Sequence, residues 1–118
     1  MNVKMESQEA MERGMFGVTP LRGAVANGHR ETAELLIAKG LHVNAKSDDG
    51  GTPLHDAAAE GYKGVAELFI TKGADVIAMS NKGKTPLDWT IEEGHKETAD
   101  LLRKNGAKTG EELKTAGN

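Results

Sequence analysis

Thr19-Pro20-Leu21, Thr52-Pro53-Leu54 and Thr85-Pro86-Leu87 place one tripeptide at intervals of 33 residues through the middle of a 118-residue chain. The same interval separates Gly28, Gly61 and Gly94; Ala33, Ala66 and Ala99; Leu35, Leu68 and Leu101; and Gly40, Gly73 and Gly106. This period constrains the fold more than any single residue does. A unit so short cannot close a core of its own, so it must bury its apolar side against the next copy, and the product is a stacked solenoid.

Composition agrees with stacking. Aromatic residues make up 3% of the chain, thin for a globular core built around large side chains, whereas a solenoid is filled by Ala, Leu, Val and Ile. The formal net charge is −3, and Lys and Arg are scattered, so no basic patch predicts binding to nucleic acid or to an anionic membrane. The chain has no cysteine, which removes disulfides, thiolate metal sites and cysteine nucleophiles and fits a reducing compartment. Met1 to Glu6 is too polar for a secretory signal, and no run approaches the roughly 18 apolar residues of a membrane helix. The expectation is a soluble, cytoplasmic protein.

Within the middle unit, Thr52 is placed to cap a helix whose first turn tolerates Pro53. Leu54, Ala57 and Ala58 share its inward face, and Gly61 supplies the left-handed stop. A second helix follows, with Val65, Ala66, Leu68, Phe69 and Ile70 as a broad apolar face and Glu67 toward solvent, and it stops at Gly73. Lys46 to Gly51 and Asn81 to Lys84 then read as tight turns at the tips of extended fingers.

Helix, turn, helix and finger, opened by Thr52-Pro53-Leu54-His55-Asp56-Ala57-Ala58 and closed by Gly73-Ala74-Asp75-Val76, resemble the ankyrin repeat over about residues 14–110. The resemblance implies an all-α solenoid of helix-turn-helix units joined by β-hairpin-like fingers. Three units are expected at about 14–46, 47–79 and 80–110, with a capping helix or arm at 1–13 and a cap or tail at 111–118. It also implies that the His55 imidazole bonds backbone near the next finger, a place taken by Arg22 and Asp88 in the other units, and that the chain binds proteins and catalyses nothing.

The third unit departs from the pattern. Arg103 replaces Ile37 and Ile70, and Thr109 replaces Val43 and Val76, as expected of a terminal unit whose outer face meets solvent, where the array would end naturally. Beyond Gly110, Glu111 to Thr115 are expected to add one helical turn that lays Leu113 over the last unit.

The residues show no catalytic constellation, no metal site and no cofactor site. His29 and His95 are equivalent positions two units apart, roughly 20 Å at about 10 Å per packed layer, too far for one metal ion with bonds near about 2 Å. They start second helices, where Tyr62 stands between them in the series. Asp48 and Asp49 precede two glycines but lack the ligand spacing of a calcium loop. Ser7, Ser47 and Ser80 are the only serines, and none has a nucleophile-elbow context.

Subtracting the repeat pattern leaves a candidate partner-binding surface, since the resemblance implies that fingers and first helices line a concave face. The fingers contribute Met15, Phe16 and Val18, then Lys46, Asp48 and Asp49, then Met79, Asn81, Lys82 and Lys84. The first helices contribute Asn27, Asp56, Glu60, Trp89, Glu92 and Glu93. Carboxylates outnumber ammonium groups from Lys46 onward, so a protein partner with a basic segment is expected. Met15 and Phe16 form an apolar finger tip that needs cover, from the N-terminal helix through Met5 and Met11, from a partner, or from a second copy. The alternative reading is therefore a homodimer held through residues 1–13 and the first finger.

Overall fold

The computed structural model describes Val25 and residues 29–116, and among them six α-helices follow one another without a strand. They are α1 (Arg30–Ala38), α2 (Pro53–Glu60), α3 (Lys63–Thr71), α4 (Pro86–Glu92), α5 (Lys96–Lys104) and α6 (Gly110–Ala116). The expected N-terminal helix at 1–13, the first finger tip and Asn27 lie outside the described residues.

The repeated tripeptide starts the two described inner helices, α2 and α4, by the same chemistry. Thr52 Oγ accepts from the His55 N–H at 3.4 Å while the Thr52 N–H donates to His55 Nδ1 at 3.1 Å. Thr85 and Asp88 make the equivalent reciprocal pair, 3.3 Å and 2.9 Å. Two of the orphan donors at each helix start are thereby satisfied, and the proline in the first turn gives up a donor the helix does not use. Helix α2 ends on Gly61 with φ 71°, the left-handed stop expected from its position.

The inner helices α2 and α4 pack on each other, and the outer helix α3 lies between α1 and α5. Leu54, Ala57 and Ala58 are wholly buried in the inner layer, and Ala66 and Phe69 in the outer one. Two adjacent alanines let α2 and α4 approach closely. Phe69 supplies the bulk that the alanines do not, and burial of one such ring contributes about 3 kcal/mol. Outer helices begin at His29, Tyr62 and His95, the places expected for both histidines. His95 Nε2 reaches back to the Ala59 carbonyl at 3.0 Å, so the third unit is tied to the second.

Each of the two described finger tips is a single tight turn rather than a strand pair. Ser47 N–H bonds Gly51 O at 3.0 Å and Gly50 N–H bonds Ser47 O at 2.8 Å; Ser80, Gly83 and Lys84 repeat this one unit later at 2.8 and 2.9 Å. Gly50 and Gly83 hold the positive φ values, 79° and 73°.

The chain leaves the repeat after Thr109. Where a fourth finger would form, Thr109 N–H donates to Glu112 Oε1 at 2.9 Å and Glu112 N–H donates to Thr109 Oγ1 at 3.1 Å, a capping box that starts α6 instead. Arg103 Nη1 adds an ion pair to Glu112 at 3.1 Å. Arg103 and Thr109 are thus the joints of the terminal helix, besides being the polar replacements expected at an outer face. Leu113 on α6 is half-buried, and α6 runs longer than the single turn expected.

Candidate protein-binding surface

Stacking of the finger tips aligns the candidate residues of the second and third units. Asn81 does this work: its N–H donates to Asp49 O at 2.9 Å and its Nδ2 to Asp48 O at 2.8 Å. Gly50 is pressed against the same side chain, so that a Cβ there would fall 2.5 Å from Asn81 Oδ1. Asn81 is therefore a clamp between fingers. Asn44 plays a similar part at the finger base, its Nδ2 donating to Gly73 O at 3.1 Å and its Oδ1 accepting from Asp75 N–H at 2.7 Å. Sequence reasoning missed Asn44, because Ile77 stands in its place one unit later and no repeated residue marks the contact.

Five of the sequence candidates, Asp49, Asn81, Lys82, Lys84 and Trp89, are brought together with Ser80 around a cleft of about 300 Å³. Trp89 is half-buried and meets the His55 ring edge-on, with centroids 4.8 Å apart at 66°. The indole thus packs on the preceding unit and still lines the cleft. His55 is held on its other side by its bond to Lys84 O at 2.8 Å, as the resemblance implied. Because a carbonyl only accepts, the proton sits on Nε2, and Nδ1 accepts from Thr52 N–H.

The charged candidates differ in what holds them. Lys84 pairs with Glu92, and this hydrogen bond, followed by the carboxylate's charge, raises the lysine above its ordinary pKa. Asp49 Oδ1 accepts from Gly51 N–H at 2.8 Å, taking the role that Ser80 Oγ has toward Lys84 N–H in the next finger at 3.4 Å. Ser47 Oγ, buried at the equivalent place, is left with no hydrogen-bond partner. Asp56 is half-buried. Lys46, Asp48, Glu60, Lys82 and Glu93 are exposed, and among the described residues no ion pair holds them. Met15, Phe16, Val18 and Asn27, and with them the expected self-association through the first finger, lie outside the described residues.

Paired inner and outer helices in successive 33-residue units, capped by a repeated Thr-Pro and stitched by a histidine to the next finger, meet an independent finding. The family model described as ankyrin repeats in three copies matches residues 2–80 and 49–112. The chain belongs to the ankyrin-repeat family. No curated protein matches it. Ankyrin repeats are in general protein–protein interaction modules, and in this ankyrin-repeat chain the finger and inner-helix face carries the residues that the repeat pattern does not account for. Among the described residues no group of three His, Asp or Glu side chains is arranged to hold a metal ion, and no helix is long and apolar enough to cross a membrane.

Proposed function

We propose that this ankyrin-repeat protein is a non-catalytic adaptor that takes a basic segment of a partner protein along its fingers and inner helices. The observation that carries the reading is the charge left over once internal pairs are removed. Lys84 and Glu92 satisfy each other. Among the described residues Asp48, Glu60 and Glu93 remain as exposed carboxylates without an ion pair, against Lys46 and Lys82. The Trp89 indole, which lines the cleft with Asp49 and Lys82, supplies a rigid apolar wall on the same inner-helix and finger surface, the kind of side chain that anchors an interface at low entropic cost. The charges steer the encounter and select the partner, while the apolar wall holds it.

A short lysine-rich peptide and its glutamate-rich counterpart, titrated into isotopically labelled protein, test the reading. Shifts at Asp48, Glu60 and Trp89 with the lysine peptide alone, lost in the Asp48→Lys/Glu60→Lys variant, support it. Equal response to both peptides, or binding unaffected by the charge reversal, defeats it.

A further inference from the structure

The terminal helix α6 creates a surface that the internal units lack. A groove of about 780 Å³ opens between the third finger tip and α6, lined by Met79 and Lys82 on the finger bank and by Glu111, Leu113 and Lys114 on the α6 bank. Its floor is backbone. Gly110 lies so close to the third finger that a Cβ there would collide with the Gly83 carbonyl oxygen, and the Gly110 N–H is fixed by Asp88 Oδ2 at 2.7 Å. The groove therefore owes its shape to a helix standing where a finger would otherwise be.

We infer that this groove docks an acidic, leucine-bearing segment of a partner protein. Its size falls within the roughly 300–1,000 Å³ usual for pockets that hold a ligand. Met79 is 44% exposed, so apolar area is available for an aliphatic side chain to cover. The ionic balance decides the class of partner. Glu112, the other carboxylate of the first turn of α6, is consumed by Arg103 and Thr109. Lys82 and Lys114 are exposed and carry no ion pair among the described residues, which leaves the groove lining with two ammonium groups and one carboxylate. An anionic segment is attracted to both banks and its leucine enters between Met79 and Leu113, whereas a cationic segment is repelled from both. The groove shares Lys82 with the cleft of the basic-segment surface and differs from it in the α6 side of its lining and in charge preference.

The test uses the whole chain with labelled methionine and leucine methyl groups and two short capped peptides, one alternating leucine with glutamate and one alternating leucine with lysine. The glutamate peptide is expected to shift the Met79 and Leu113 methyl signals, with an affinity that falls about tenfold in Lys82→Glu/Lys114→Glu, a loss near 1.4 kcal/mol. Because both lysines are exposed, the double variant retains its fold, which an unchanged amide spectrum outside the groove verifies. Lys114→Glu alone, remote from the second finger, reports on the groove without disturbing the basic-segment site. Preference for the lysine peptide, shifts confined to other residues, no shifts with either peptide, or indifference to the charge reversals would overturn the inference.

Discussion

Asp88 Oδ2 accepts a hydrogen bond from the backbone N–H of Gly110 at 2.7 Å. One unit earlier, the equivalent His55 donates from Nε2 to the carbonyl of Lys84 at 2.8 Å. The inversion from donor to acceptor follows from what lies ahead. His55 meets the turn of another finger, which presents a carbonyl; Asp88 meets the start of a helix, which presents unsatisfied N–H groups and a partial positive charge. The same carboxylate also accepts from Thr85 N–H at 2.9 Å, so one side chain starts α4 and anchors α6.

Replacing Asp88 by Ala therefore removes both contacts and is expected to destabilise the protein by about 1–3 kcal/mol. Asp88→His, which restores the residue of the middle unit, is expected to be nearly as damaging, since a ring N–H would face a backbone N–H. Urea unfolding measures both; a His variant as stable as wild type would contradict the assigned polarity.

Gly110→Ala is a substitution that helix propensity recommends by about 1 kcal/mol. The collision with Gly83 predicts the opposite sign. The variant should melt lower and its α6 amides should exchange faster, and a raised melting temperature would show that the close approach of helix and finger is not needed.

At Gly61 two constraints coincide. Its φ is 71°, and a Cβ would lie 2.6 Å from His95 Nδ1. Gly61→Ala is expected to cost more than the about 1–2 kcal/mol of left-handed backbone alone. In the background of His95→Ala the same change should cost less, because the steric part has gone while the backbone part stays. A double-mutant cycle measures the difference, and strict additivity would remove the steric contribution.

Ala58 and Ile91 are equivalent positions with opposite surroundings, the first wholly buried and the second 49% exposed. Ala58→Leu, or Ala57→Leu beside it, should overpack the seam between α2 and α4 and cost about 1–3 kcal/mol. Ile91→Ala should cost about 1 kcal/mol or less, since half of that side chain is already in water. Thermal melts of the variants decide, and an unchanged melting temperature for Ala57→Leu would contradict the close-packed seam.

Glu112 gives α6 a pH dependence. The Thr109 N–H, and after it the Arg103 guanidinium, hold its carboxyl below the ordinary carboxylate pKa. A depressed folded value adds stability that is fully present above the unfolded value and is lost as the pH falls through the folded one. Helix α6 should therefore stay docked from neutral pH down to the ordinary carboxylate range and loosen below it. Amide signals of Glu111 to Thr115, followed from about pH 7 to about pH 3, should show this loosening in the wild type and a flatter profile in Glu112→Gln.

Sequence alone determined the period, the helix starts and stops, and the inward faces. These depend on neighbours within a unit or on positions repeated at 33 residues: Thr52 and Pro53 start a helix by local hydrogen bonding and fixed φ, Gly61 stops it by its lack of a side chain, and Leu54, Ala57 and Ala58 share a face by helical spacing. Tertiary structure decided what stands between units. The clamp of Asn81 on the second finger, the bridge from Asn44, the contact of Trp89 with His55 and the seating of Gly110 on Gly83 each join groups that no repeated residue connects. Such contacts depend on the distance and orientation between stacked layers, which are set by how the side chains of two units interlock. Their partners become visible only after the units have been placed side by side.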